Sequence, residues 1–182
     1  MTKPTLYLDM DGVLADFNLA AERILRATEE DHEAAAQRGR WPREQWELLK
    51  QQPRFYRHLP KTGMADHLVA LARRFRDECN WNIGILTAIP KDNDVPESFQ
   101  DKMEWVQEYY PDLRVYFGPY SRDKAQHCRT PQDILVDDRR DNCEGWQQAG
   151  GRAVAVSRGN HDAVLVELES ILLSTGKYSA DV

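Results

Sequence analysis

Twice in this chain a short, β-prone apolar run stops at carboxylates. Residues 6 to 12 read Leu-Tyr-Leu-Asp-Met-Asp-Gly, and residues 134 to 138 read Ile-Leu-Val-Asp-Asp. Each reads as a buried strand that gives way to a loop at its acidic end. In an open parallel sheet that end is the carboxyl edge, where ligands bind. Asp9 and Asp11 there repel one another and raise each other's proton affinity unless positive charge lies between them. A hard divalent cation with oxygen ligands answers that need, and Mg2+ suits a sparse site completed by water and a substrate phosphate. Taken alone, Asp11-Gly12 reads equally well as an acidic turn after an edge strand.

Two further pieces shift that balance. The run Ile83, Ile85, Leu86 ends in Thr87 and the small Ala88. There a hydroxyl and neighbouring backbone N–H groups can donate to phosphate oxygens, although threonine at a strand end is common. Lys124, in Ser-Arg-Asp-Lys-Ala, offers a cation on a loop or first helical turn, and alone it is one surface lysine among many. Acid pair, hydroxyl, lysine and acid pair in this order make a phosphate-and-metal site a better reading than four coincidences.

Beyond residue 60 the pattern alternates between strand and helix. A helix is predicted over 63–76, with Met64, Leu68, Leu71 and Phe75 inward, then a strand over 83–86. The next helix places Phe99, Met103, Val106 and Tyr110 on one face and stops before Pro111. Strands over 114–117, 134–136 and 153–156 follow, with helices near 140–149 and 162–173 and a polar, frayed tail from Ser174 to Val182. Such alternation implies parallel crossovers with helices on both faces. The expected fold is α/β, a Rossmann-like doubly wound parallel sheet with a small inserted helical cap. Residues 1–17 and 61–182 form the core in this reading and 18–60 the cap. In the cap a helix begins at Leu19, Asp31–Gln37 is alanine-rich and helix-prone, and Pro42 suits the first position of another helix. A lid of this kind is expected over phosphoryl chemistry.

The 182 residues suffice for a well-packed core. A formal charge of −6 argues against binding polymeric nucleic acid, which needs a basic face. Three cysteines without a Cys-x-x-Cys pair suggest reduced thiols and a cytoplasmic protein. No signal segment precedes the first strand, and no apolar run is long enough for a membrane span.

The motifs together resemble the haloacid dehalogenase superfamily, whose phosphatases carry four such elements in this order. More narrowly the chain resembles the 5'(3')-deoxyribonucleotidases. That likeness rests on LYLDMDGVLADF (6–17), RGRWPREQW (38–46), PRFYRHLPKTGMADHL (53–68), ILTAIP (85–90), DKMEWVQEYYP (101–111), SRDKA (121–125) and ILVDDR (134–139). The resemblance implies a Mg2+-dependent phosphomonoesterase acting on nucleoside, preferably deoxyribonucleoside, 5'-monophosphates through an aspartyl-phosphate. Asp9 would be the nucleophile and Asp11 the acid and base, with Thr87, Ala88 and Lys124 holding the phosphoryl group. The metal would be held by Asp9, the Asp11 backbone carbonyl and Asp137 and Asp138, with Asp138 favoured as the direct ligand. Phe17, Arg40, Trp41, Pro42 and Arg43 would line the base and sugar pocket. Arg40 stands where mammalian members commonly have an aromatic, and Ala88 where members often carry serine. The partner is a small phosphomonoester, and the reading admits a homodimer. Two alternatives stay open, the same chemistry on another small phosphoester such as a sugar phosphate, and a non-catalytic nucleotide-sensing protein of this fold.

Other tempting residues have plain readings. The five histidines show no ligand spacing, and Trp105 and Trp146 are expected in the core. Arg73, Arg74 and Arg76 read as a solvated helix edge; Arg139 and Arg140 could reach phosphate, but read more simply as counter-charges to Asp137 and Asp138. Trp41 and Trp46 are as readily cap packing as ligand-stacking groups. Neither Cys128 nor Cys143 has a catalytic reading.

Overall fold

The computed structural model describes residues 2–26, 28, 30–31, 41–90, 94–118 and 120–176. Five parallel strands form one sheet in the order β3-β2-β1-β4-β5. They are β1 (Thr5–Leu8), β2 (Asn82–Thr87), β3 (Arg114–Phe117), β4 (Ile134–Asp137) and β5 (Arg152–Ala155). From β1 the chain builds outward to one side through β2 and β3, then crosses back to β4 and β5. The crevice between β1 and β4 at their carboxyl ends is therefore the topological switch point of the sheet.

Side-chain alternation along the strands builds a core on each face. Leu6, Leu8, Ile83, Ile85, Ile134 and Val136 join the larger core, while Tyr7, Leu86 and Leu135 pack with Trp146 on the other face. Helix α3 (Ala65–Cys79) buries Leu68, Leu71, Ala72 and Phe75. It ends at Asn80, whose φ of 57° takes the left-handed conformation that asparagine tolerates after a helix. Helix α6 (His161–Gly176) buries Val164, Leu168, Ile171 and Leu172 against the same core. On the opposite face α5 (Arg140–Gln148) contributes Trp146. Gly84 leaves room for Tyr116 to lie across the sheet: a Cβ there would stand 2.6 Å from the Tyr116 ring.

Between β1 and α3 lie α1 (Phe17–Leu25), α2 (Arg43–Lys50) and a 3₁₀ turn, Phe55–His58. Asp16 caps α1 by accepting from the Leu19 N–H at 2.9 Å. The two ends of this segment are stitched together: Asp16 N donates to Pro60 O, Thr62 N to Leu14 O, and Ala15 bridges Lys61. The chain thus leaves and rejoins the sheet layer at one point.

Several expectations are corrected. Pro42 is the residue before α2, in extended geometry with ψ 145°, and Arg43 takes the first helical position. The helix after β2, α4 (Ser98–Tyr109), turns Phe99 and Met103 outward, 52 % and 40 % exposed. Its inward face is Ser98, Asp101, Lys102, Trp105 and Val106. The carboxyl-terminal helix continues through Gly176 rather than ending near Leu173. Most of the alanine-rich stretch, residues 32–37, and the tail 177–182 lie outside the described residues.

Candidate active site

Asp9 follows β1 directly and stays in the sheet ladder, its N–H donating to Val136 O at 2.9 Å. Its side chain is buried, and Oδ1 accepts from the Met10 N–H and from Lys124 Nζ, both at 2.7 Å. Among the described residues Oδ2 has no hydrogen-bond donor. Lys124 lies on the 3₁₀ helix Ser121–His127 and is 2 % exposed, so it is no surface lysine. Its ammonium also reaches Asp137 Oδ2 at 2.7 Å.

The acid pair after β4 divides in two. Asp137 is fully buried, with both oxygens occupied by protein donors. Oδ1 accepts from Arg139 N and Asn142 Nδ2, both at 2.9 Å, and Oδ2 from Lys124 and Asn142. No hydrogen bond reaches the Asp138 carboxylate among the described residues. Ligand oxygens of Asp9, Asp137 and Asp138 can lie within 4.8 Å of one another. Gly12 makes this approach feasible: at its φ of 80°, a Cβ would stand 2.2 Å from Asp138 Oδ2. Glycine alone adopts that backbone freely and leaves that space.

Crowding of anions sets the electrostatics. Burial pushes the Asp9 carboxyl up to about 7, Lys124 opposes the rise, and Asp137 and Asp11 add to it. Asp138 is exposed as a residue, yet loss of solvent around its carboxyl and the charges of Asp9 and Asp137 push it well above the usual carboxylate range. Burial pulls on the Lys124 ammonium, but Asp9 and Asp137 outweigh it and raise its proton affinity. One lysine among these acids leaves negative charge uncompensated. The oxygen-only donor set and the bare Asp9 and Asp138 oxygens suit a hard divalent cation.

Asp11 Oδ2 accepts from Lys102 Nζ at 2.5 Å, while Asp11 Oδ1 is buried without a partner among the described residues. The Asp11 carboxylate thus stands apart from the three-acid cluster. Lys102 also donates to Thr87 Oγ1 at 2.9 Å and Ala88 O at 2.7 Å. The sequence reading missed Lys102, although a clue was present. It lies three residues before Trp105, and a core Trp105 turns Lys102 inward as well.

These groups open into a cleft of about 1010 Å³, lined among others by Asp9, Asp11, Lys124, Asp138 and Arg139. Phe17, at the start of α1, and Trp41, Pro42, Arg43, Trp46 and Tyr56 of the inserted segment form its wall, and Ala88 and Asp94 line it from the loop after β2. Phe17 packs edge-on to Phe55 at 5.3 Å, and Trp41 packs partly against the core. Asp94 accepts from Lys50 at 2.7 Å and Trp46 Nε1 at 2.6 Å. These two bonds hold its carboxyl below the usual range, and sequence reasoning did not find it. Arg40 lies outside the described residues. Arg139 and Arg140 are not counter-charges to the acid pair: Arg139 lines the cleft, and Arg140 pairs with Glu144 at 2.6 Å. Burial pushes the Cys143 thiol up to about 12, which gives it no nucleophilic role.

Comparison with known proteins decides the family. The profile of the family described as 5' nucleotidase, deoxy (pyrimidine), cytosolic type C protein matches residues 3–163. The chain belongs to this family. It is accordingly a phosphoric monoester hydrolase of the haloacid dehalogenase superfamily. A protein of Vibrio phage KVP40, provisionally described as a 5'(3')-deoxyribonucleotidase, is 29 % identical over 147 residues, 79 % of this chain and 71 % of the phage protein. Solved structures share the fold. A dehalogenase superposes with a TM-score of 0.56 at 14 % identity, covering 93 % of this chain and 97 % of its own. The L-2-haloacid dehalogenase of Xanthobacter autotrophicus gives 0.52 at 16 %, covering 86 % and 78 %. A HAD-type hydrolase of Bacillus subtilis, solved with magnesium, gives 0.52 at 14 %, covering 86 % and 87 %.

Proposed function

We propose that this nucleotidase is a Mg2+-dependent phosphatase of deoxyribonucleoside 5'-monophosphates that works through an aspartyl-phosphate on Asp9. The observation that carries the reading is the grouping of Asp9, Asp11, Lys124 and Asp138 on one aromatic-walled cleft, with Thr87 tied to Asp11 through Lys102. The hydrogen bonds to Asp9 Oδ1 fix its carboxylate, which attacks phosphorus as the ester P–O bond breaks. Asp11 passes a proton to the departing ribose oxygen. It then accepts a proton from the water that attacks the phosphoryl-aspartate, and release of inorganic phosphate restores Asp9. Lys124 and Thr87 hold the phosphoryl oxygens, and Lys124 also screens Asp9 from the incoming dianion.

Asp9, Asp138 and the Asp11 backbone carbonyl would hold Mg2+, while Asp137 keeps Lys124 and Asn142 in place. The cation would offset charge on the phosphoryl group. Segment 18–60 is the cap of this reading and residues 1–17 and 61–182 the core. Phe17 and Trp41 would flank the base, Pro42 and the exposed Arg43 would lie at the sugar and base edges, and Arg40 would take the place of the usual aromatic. The family's cytosolic description supports a cytoplasmic enzyme. The deciding experiment measures kcat/KM with Mg2+ for a panel of deoxyribonucleoside, ribonucleoside and sugar monophosphates. Preference for deoxyribonucleotides supports the reading; preference for sugar phosphates moves the substrate to another small phosphoester.

A further inference from the structure

Lys102 is 1 % exposed in the middle of α4, where a lysine is rarely kept unless its charge is used. An ammonium has three protons to donate, and all three are committed: to Asp11 Oδ2, to Thr87 Oγ1 and to Ala88 O. The ring of Tyr56 covers the same Nζ at 4.8 Å. The turn that carries Tyr56 is fastened to α4 by the Arg54–Asp101 and Arg57–Glu108 ion pairs. Trp105 Nε1 adds a bond to Leu59 O at 2.8 Å. The position of the ammonium is thus fixed from α4, from the Phe55–His58 turn and from the end of β2.

We propose that Lys102 is a positioning residue for hydrolysis, aligning the Asp11 carboxylate and the Thr87 hydroxyl through one ammonium. The inference rests on the phosphatase reading above. Its geometry has two consequences. Tethering Oδ2 of Asp11 fixes the orientation of the carboxylate, whose Oδ1 is buried and without a partner among the described residues. A hydroxyl has one proton and two lone pairs. Donation from Lys102 occupies a lone pair of Thr87, whose contact with Ala88 O is long at 3.4 Å. The bond from Lys102 thus fixes the rotamer of the fully buried Thr87. Lys102 itself touches neither the phosphorus nor the leaving oxygen.

The test uses the full chain with Mg2+ and the variant Lys102→Met, assayed on a deoxyribonucleoside 5'-monophosphate and on 4-nitrophenyl phosphate. The expected result is a kcat loss of about 100-fold or more on the nucleotide. On the aryl ester, whose leaving group needs no proton, the loss should be about ten times smaller. In an Asp11→Asn background the same change should no longer discriminate between the two substrates. An equal loss on both substrates with a lowered Tm, or no loss, would overturn the proposal. Lys102→Gln, which keeps a hydrogen-bonding head, replaces the methionine variant if that does not fold, with the same split expected. A crystal structure of the variant separates this inference from the phosphatase reading. If the wild type hydrolyses neither ester, that reading fails; Asp11 and Thr87 keeping their wild-type rotamers in the variant would overturn the Lys102 role whatever the turnover.

Discussion

Asp9→Asn keeps the volume of the strand end and an acceptor for Lys124, but an amide oxygen cannot form the acyl-phosphate. Mg2+-dependent turnover should therefore vanish while the circular dichroism spectrum stays native, and retention of more than a trace of activity would rule out the covalent route. For Asp11→Asn the expected kcat loss is about 10²–10⁴-fold on a nucleotide, the range of general acid–base catalysis. It should be smaller on an aryl phosphate, and equal losses would make Asp11 a structural group. The acid pair after β4 should separate in the same way. Asp138→Asn should raise the Mg2+ concentration for half-maximal rate at least about tenfold, because its carboxylate receives no hydrogen bond among the described residues. Lys124→Ala should chiefly weaken inhibition by inorganic phosphate, read as a higher inhibition constant. At this scale the places of Asp9 and Asp11 on the cleft were legible because an apolar strand stops there, and strand ends are written locally. Thr87 also ends such a run but is buried and does not line the cleft. Lys102 and Asp94 were not legible. One is a charged residue on a buried helix face and the other belongs to an irregular loop, so their places depend on contacts across 91 and 48 residues.

Element boundaries were legible where period and punctuation agreed. The strands show alternation that both sheet faces use, and α4 stops before Pro111 as that residue demands. The inward face of α4 was misjudged because hydrophobicity was taken as the guide. Phe99 instead stacks on Phe117 at 4.6 Å on an outer surface, while Lys102 and Asp101 turn in to serve the site and the Arg54 clamp. The arginines of α3 read as a solvated edge, yet they tie that helix to the loop after α4. Arg73 and Arg76 reach Asp112 at 2.6 and 3.0 Å, and Arg73 first among its partners draws the Asp112 carboxyl down to about 2. A depressed carboxyl stabilises the fold above its unfolded value near 4, and that contribution is lost as pH falls through about 2. Asp112→Asn should accordingly lower stability at pH 7 and have progressively less effect between pH 4 and pH 2. The loss should be at most about 1 kcal/mol, because the pair is solvent-screened. Urea titrations at pH 7 and pH 2.5 check this, and an equal loss at both would assign the effect to packing.

Over the whole molecule the sheet order puts the ends of β1, β2 and β4 side by side, and the inserted segment supplies the opposite wall. The family likeness anticipated that arrangement, but which insert residues face the cleft could not be read from spacing. Trp41 shows why: it lines the cleft and also packs partly against the core, so sequence could not choose between stacking and packing. Trp46 meets the core and donates to Asp94 across the cleft, joining the insert to the loop after β2. A base held between Phe17 and Trp41 would lose one stacking face in Trp41→Ala. That change should cost about 1–3 kcal/mol in kcat/KM for nucleotides, the size of one base–aromatic stack. A sugar phosphate or an aryl phosphate too short to reach the ring should be turned over almost as before. If Trp41 serves only to pack the insert, all substrates should fall together and the Tm should drop, because removing a packed indole leaves a cavity. Kinetics on the three substrates and one melting curve separate these outcomes. A uniform loss with a lower Tm would take the base pocket away from Trp41 and leave the cleft as that of a general small-phosphoester phosphatase.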